Sequence, residues 1–311
     1  MAKMQIALNL PQFLEWDDMI ARTAQAERFG FHSVWTCDHM WPPSDRDGNQ
    51  LEVLSTMAAI AARTERLRIG TLVICNSFRN PALLAKALST IDNISHGRVE
   101  IGIGAGWMKG EFRAYGYEFP DPGVRLKQFE ESLQILKLMF TQARASFKGR
   151  YFTIDNAPNN PKPTQKPHPP ITIGGGGEKV LLKLVAKYAD RWNYSIPESG
   201  AIDHKLQVLK NHCAAVGRDF NTLQISEQVM VCLGRNKAEA DRMWESPGHP
   251  MIEGMKPSAI KGDPDSVTEQ LLDRARRGVN MVMICFGDLD RPETVELFGR
   301  EVMPRLQQVP A

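Results

Sequence analysis

ITIGGGGEKVLLKLVAKYAD, residues Ile171–Asp190, sets four consecutive glycines, Gly174 to Gly177, between two segments of different periodicity. Ile171–Ile173 is β-branched and reads as a strand, whereas Leu181, Leu184, Val185 and Tyr188 recur at helical spacing. Glycine loses more entropy on folding than any other residue, so a run of them needs a reason. A free linker is disfavoured because a strand enters the run directly and a helix leaves it. A Walker A loop would need Lys after its last glycine, and Glu178 stands there. A Rossmann fingerprint belongs in the first βαβ unit with spacing G-x-G-x-x-G, which this mid-chain run does not complete. Two readings remain. The turn either offers free N–H groups and a helix dipole to a phosphate, or is a tight βα turn without a ligand.

The same strand-then-helix alternation extends along the chain. Strands are expected at Met4–Leu8, Ser33–Thr36, Leu67–Val73, Val99–Ile103, Ile171–Ile173, Arg191–Tyr194, Ile225–Leu233 and Met281–Cys285. Between them lie amphipathic stretches such as Leu126, Phe129, Leu133, Leu136, Phe140. Another carries Pro81 in its first turn and Asn80 as N-cap. Eight strands alternating with helices fit an α/β (β/α)8 TIM barrel built from right-handed crossovers. A doubly wound open sheet has the same alternation. The barrel is favoured because no break in composition divides residues 1–311 into halves. Two stretches interrupt the pattern and are expected as insertions at the barrel rim that shape substrate choice. Residues 155–170 hold six prolines and cannot form a helix or a central strand; residues 246–265 are rich in Gly and Pro. FKGRYFTI, just before the first, reads as a small hairpin.

Composition narrows the function classes. A hydrophobic content of 42%, a charged content of 24% and a net charge of +2 describe an ordinary globular chain without a nucleic-acid surface. No apolar run reaches the ~18 residues of a membrane helix, and the N-terminus lacks a signal-peptide pattern. Five scattered cysteines without C-x-x-C favour a reducing cytoplasm. Seven histidines include no H-x-H or H-x-x-x-H pair, so a metal centre is not expected.

Three further stretches sit where a barrel carries its chemistry, at the C-terminal ends of strands. In SVWTCDHMW (Ser33–Trp41), Asp38 and His39 follow a strand, and a histidine there can exchange protons near neutral pH. The alternative is a surface or capping residue. In VEIGIGAGWMKGE (Val99–Glu111), Gly102, Gly104 and Gly106 alternate, which admits a flat ligand or close packing of a neighbouring element. In GTLVICNSFRNPALLAK (Gly70–Lys86), Cys75 is better read as a small apolar residue at a strand end than as a nucleophile.

Taken together, CDHMW, GTLVICNSFRNPALLAK, ISHGRVEIGIGAGW with EFRAYGYEFP, and PPITIGGGGEKVLLKLVAKYADRWN resemble the bacterial luciferase-like superfamily, in particular its coenzyme F420-dependent oxidoreductases. They occur in the family's order and cover most of residues 4–195; GDPDSVTEQL looks like the helix start usual in its C-terminal third. The resemblance implies a (β/α)8 barrel, commonly a homodimer, with a deazaflavin or flavin at the strand C-termini and a small-molecule substrate. It implies that Gly174, Gly175, Gly176, Gly177 and Glu178 seat the cofactor phosphate, although barrels in general place that seat after strands seven and eight. It implies a non-prolyl cis peptide near Leu72–Val73, with Val73 and Cys75 touching the cofactor through their backbone. Gly104, Ala105 and Gly106 would flank the cofactor, Asp38 and His39 would lie beside its ring, and His39 would give or take the proton.

Two departures qualify the match. Sugar-phosphate and alcohol dehydrogenases of this branch carry a Glu just after the G-x-G of strand four, where this chain has Trp107. Their Trp four residues beyond the His is replaced by Pro43, with Trp41 nearer. Trp41 and Trp107 are therefore expected to line an apolar substrate pocket, and a carboxylate acid is expected to be missing. Two rival readings stand beside an F420-dependent reductase or dehydrogenase. One is an FMN-dependent monooxygenase on the same barrel; the other is a deazaflavin-binding protein without catalysis.

Overall fold

The computed structural model describes residues 4–195, 201–245, 259–287 and 292–308. Eight parallel strands close into a barrel: β1 (Gln5–Asn9), β2 (Ser33–Thr36), β3 (Arg68–Thr71), β5 (Val99–Gly104), β8 (Ile171–Gly174), β9 (Arg191–Ser195), β10 (Gln224–Leu233) and β12 (Met281–Phe286). Closure is made by β12 pairing with β1, Gln5 opposite Met281. All eight expected strands are present. The third is shorter than Leu67–Val73: Leu72 and Val73 leave the ladder, joined by a cis peptide bond, and Ile74–Cys75 rejoins β5 as the short strand β4.

Helices α1 (Trp16–Arg28), α2 (Val53–Arg63), α3 (Pro81–Ile94), α4 (Lys109–Ala114), α5 (Pro122–Thr141), α6 (Leu181–Tyr188) and α7 (Ala201–Ala215) follow in the first part of the chain. Asn80 caps α3 as expected, its side-chain oxygen accepting from the N–H groups of Ala82 and Leu83 ahead of the proline at the first turn. Asp263 caps the helix Pro264–Arg276 in the same way. FKGRYFTI does turn a hairpin, between β6 (Arg144–Lys148) and β7 (Thr153–Pro158).

Strands β2, β5 and β12 are buried at every position, which is how strands read when helices cover one face and the barrel interior the other. Inside, Trp35 packs with Ala7, Leu72, Met281 and Met283. Two glycines make room for it. A Cβ on Gly70 would lie 2.5 Å from the Trp35 ring, and one on Gly102 would overlap the Thr71 carbonyl. Gly102 thus belongs to the barrel filling, not to a ligand surface.

At the N-terminal end of the strands, Glu100 is held between Arg68 at 2.5 Å and Arg191 at 2.8 Å. The proline-rich stretch ends here too. Gln165 bonds to Asp92 and to the Val99 carbonyl, and Asn159 to Ser89 and the Met139 carbonyl. The expectation that residues 155–170 shape the substrate site is therefore corrected: they pack against the barrel's closed end, away from the cavity described next. Of the second insertion, residues 246–258 lie outside the described residues; Ile260–Gly262 adds a short strand, β11, to β10.

Candidate active site

The C-terminal ends of β1, β2, β3–β4, β5, β8 and β9 surround a cavity of about 760 Å³, the size of an ordinary small-ligand site. Asp38, His39, Leu72, Val73, Cys75, Gly104, Ala105, Gly106, Trp107, Gly174, Gly175 and Gly177 all line it. One wall is the Leu72–Cys75 shelf, on which glycines converge. A Cβ on Gly104 would lie 2.9 Å from Val73 Cγ2, and one on Gly174 3.0 Å from Cγ1. Gly106 has φ +76°, and its Cβ would lie 2.6 Å from Cys75 Sγ. Glycine at 104, 106 and 174 is what lets the ends of β5 and β8 close on the Val73 and Cys75 side chains. Burial pushes the Cys75 thiol up to about 12, and the Cys37 thiol likewise, so neither is a thiolate near neutral pH.

Asp38 is only 5% exposed and its oxygens are taken. Oδ2 accepts from the Cys75 N–H at 2.8 Å and from Arg79 Nη1 at 2.5 Å, while Oδ1 accepts from Arg79 Nη2 at 2.9 Å. Burial opposes both charges. It prevails at Asp38, lifting the carboxyl above its ordinary value; at Arg79 the bonds to Asp38 and Glu52 outweigh it and raise the guanidinium. Asp38 therefore fixes the β2 loop to the shelf, leaving His39 as the ionisable group of that loop turned to the cavity. Gln12 pins the same loop, accepting the Cys37 N–H at 2.5 Å and donating to the Leu51 carbonyl.

His39 is backed by a carboxylate that sequence reasoning did not assign. Glu111, on α4 and 1% exposed, lies with both oxygens 3.1 Å from His39 Nδ1, and its Oε1 accepts the Met40 N–H at 2.6 Å. The expectation of a missing carboxylate is thus corrected. The position after G-x-G is indeed Trp107, but a carboxylate reaches the histidine from one helical turn further on. The signal was present in EFRAYGYEFP, whose first residue is Glu111, directly before the buried Phe112. Trp107 is 67% exposed and stands edge-on to the imidazole, ring centroids 5.8 Å apart. Trp41 is not in the cavity wall: it is buried, tilted against Tyr115 at 6.2 Å and covered by the Arg46 guanidinium.

The glycine turn lines the same cavity through Gly174, Gly175 and Gly177. Gly175 has φ +119°, and its carbonyl accepts from Trp192 Nε1 at 2.7 Å while its N–H donates to the Asn193 carbonyl. Lys205 donates to the Gly176 carbonyl at 2.9 Å and to Glu178 Oε1 at 2.5 Å. Glu178 also meets His204 at 3.3 Å, so its carboxylate faces α7 and, with Gly176, is absent from the cavity lining. Among the described residues, none accepts from the N–H groups of Gly176 to Val180. The turn therefore presents donors without acceptors at the start of α6.

Arg125, on the first turn of α5, supplies a second unmet demand. It lines the cavity, is 8% exposed, stacks over Phe119 at 4.0 Å and donates to the Pro120 carbonyl at 2.5 Å. Its Nε is buried with no partner, and no carboxylate pairs with it among the described residues. A buried guanidinium without a counter-charge is unfavourable unless an anion joins it. No sequence motif pointed to it.

The profile of the luciferase-like monooxygenase family matches residues 3–278, and the chain belongs to that family. It is an oxidoreductase. It is 26% identical to an F420-dependent glucose-6-phosphate dehydrogenase of Amycolatopsis mediterranei, over 93% of this chain and 94% of that one. It is 28% identical to an FMNH2-dependent dimethylsulfone monooxygenase of Pseudomonas putida, over 98% of this chain and 92% of that one. The fold superposes on an F420-dependent secondary alcohol dehydrogenase solved with an F420–acetone adduct, with a TM-score of 0.86, 21% identity and coverage of 98% and 99%.

Proposed function

We propose that this chain is a coenzyme F420-dependent oxidoreductase acting on a small organic molecule, with His39 as the group that moves the proton. The observation that carries the reading is the His39–Glu111 pair, facing a cavity also lined by Gly177, whose N–H has no acceptor, and by Arg125, whose guanidinium has no carboxylate partner among the described residues. Those features fit the proposed cofactor. The turn from Gly174 to Val180 and Arg125 would hold its phosphate, and the Leu72–Cys75 shelf would support its ring. When bound, a deazaflavin supplies or accepts a hydride.

The chain's own residues do the rest. Apolar walls from Leu72, Val73, Met108 and Phe112 exclude water from the reacting face. His39, held at Nδ1 by Glu111, has Nε2 left to take a proton from a substrate hydroxyl or return one to a carbonyl oxygen. Trp107, at the mouth, covers an apolar part of the substrate.

The Pseudomonas putida relative supports a second reading, an FMN-dependent monooxygenase, because the same turn and guanidinium suit either phosphate. Titration of the purified protein with F420 and with FMN separates the two. Binding of F420 at micromolar or lower Kd with FMN at least tenfold weaker supports the proposal, and the reverse order overturns it. Replacing His39 by Ala should then lower turnover by about 10²- to 10⁴-fold with cofactor affinity kept.

A further inference from the structure

We infer that Glu111 and the Met40 N–H together set the tautomer of His39, so that in the neutral enzyme Nδ1 carries the hydrogen and Nε2 offers a lone pair to the cavity. The inference takes its functional meaning from the proton role proposed for His39, but the tautomer itself is read without cofactor or substrate.

The argument runs from donors and acceptors. An ionised carboxylate only accepts hydrogen bonds. Glu111 is buried, and its two oxygens meet two neighbours: the Met40 N–H at 2.6 Å and His39 Nδ1 at 3.1 Å. A backbone N–H has no choice of role, so Nδ1 must be the second donor. Nε2 has no partner among the described residues, and His39 lines the cavity, with Trp107 standing edge-on to its ring. A carboxylate behind an imidazole in this way fixes ring orientation and tautomer together.

Met40 makes the inference sharper than a contact alone. If Glu111 is replaced by Gln, only the amide oxygen can accept the Met40 N–H, because the amide NH2 has no acceptor capacity. The NH2 is then turned toward Nδ1, which can stay close only by becoming an acceptor. The single hydrogen of the neutral ring moves to Nε2. Glu111→Gln therefore inverts the tautomer in place, with nearly the same volume and shape, and presents an N–H to the cavity where the native enzyme presents a lone pair. Glu111→Ala removes both interactions and leaves the ring free to exchange tautomers.

The experiment is long-range ¹H–¹⁵N correlation on protein labelled at histidine nitrogens, without cofactor, at a pH where His39 is neutral. His39 signals are identified by their loss in His39→Gln. The native protein should show a protonated Nδ1 and an unprotonated Nε2, Glu111→Gln the opposite pattern, and Glu111→Ala averaged shifts. A native Nε2–H, or a Glu111→Gln spectrum with the native pattern, overturns the inference. Far-ultraviolet circular dichroism matching the native spectrum shows that the comparison is made on folded protein, and Glu111→Ala keeps the test open if Glu111→Gln fails to fold. In turnover, inversion should lower kcat of Glu111→Gln by about 10²- to 10⁴-fold with KM changed less than about threefold. An unchanged kcat beside an inverted tautomer overturns the proton role of His39 and leaves the tautomer assignment standing.

Discussion

Asp38 and Arg79 are joined by two parallel hydrogen bonds, and the same Asp38 oxygen that faces Arg79 Nη1 accepts the Cys75 N–H at 2.8 Å. One buried carboxylate thus ties the loop carrying His39 to the shelf carrying the Leu72–Val73 peptide. A bidentate guanidinium pair of this kind fixes direction as well as distance.

Replacing Asp38 by Ala leaves the largely buried Arg79 with only the half-exposed Glu52 as carboxylate partner and strands the Cys75 N–H. Stability should fall by at most about 3–5 kcal/mol, the effect of removing one partner of a buried ion pair. Urea denaturation measures it. Because Asp38 acts on the loop and not on the reacting atoms, a variant that still folds should lose cofactor affinity and turnover together. Loss of turnover alone, at native stability, would contradict that role.

The glycine turn separates strain from contact. Gly175 has φ +119°, and an added Cβ would lie 2.6 Å from Leu181 Cδ2, whereas one on Gly176 meets nothing nearer than 3.4 Å, the Tyr194 ring. Gly175→Ala should therefore displace the turn and weaken cofactor binding by about tenfold or more, the conformation being one that L residues rarely adopt. Gly176→Ala should bind within about threefold of native. Fluorescence titration with F420 reads both, and equal Kd values for the two variants would place the phosphate elsewhere.

How much of this is legible in the sequence depends on whether a feature is local. The eight barrel strands, the Asn80 cap and the glycine turn follow from period, capping chemistry and punctuation, and each is observed. What escapes is set by partners distant in sequence. Gly102 looks like Gly104 in GIGAG, yet one faces the Thr71 carbonyl and the other Val73. Glu111 lies 72 residues from His39, and although EFRAYGYEFP sets it beside the buried Phe112, only the fold pairs it with that ring. Residues 155–170 carry the composition of a surface loop, and only their bonds to Asp92, Val99 and Met139 reveal which end of the barrel they cover.

At the closed end of the barrel, Glu100 gives a pH dependence of known sign. Burial works to raise its pKa, but Arg191 and Arg68 outweigh burial and hold it below the ordinary 4.5. A depressed carboxylate stabilises the fold fully above its unfolded pKa, and that stability is lost as pH falls through the folded value. Native protein should therefore lose stability below about pH 4.5 with a slope that Glu100→Gln reduces. At neutral pH Glu100→Gln should be less stable by about 3–5 kcal/mol, since two arginines then lack their shared carboxylate. Denaturation midpoints from pH 3 to 7 test both parts.

Arg125 yields the prediction in which stability and binding move in opposite directions. Its guanidinium is 8% exposed, satisfied in part by the Pro120 carbonyl and the Phe119 ring, and has a buried Nε without a partner. In the absence of an anion, that arrangement opposes folding, because a desolvated charge is unfavourable when nothing neutralises it. Arg125→Met keeps the length of the side chain and its packing on Phe119 while removing the charge. The cofactor-free variant should be as stable as the native protein or more so, by up to about 2 kcal/mol. Its affinity for an anionic cofactor should fall by about 10- to 100-fold, the effect of losing one charge-assisted pair. Thermal unfolding without ligand and isothermal titration with F420 measure the two halves independently. A cofactor-free protein destabilised by the substitution, with affinity unchanged, would make Arg125 a structural residue and leave the phosphate to the N–H groups of Gly176 to Val180.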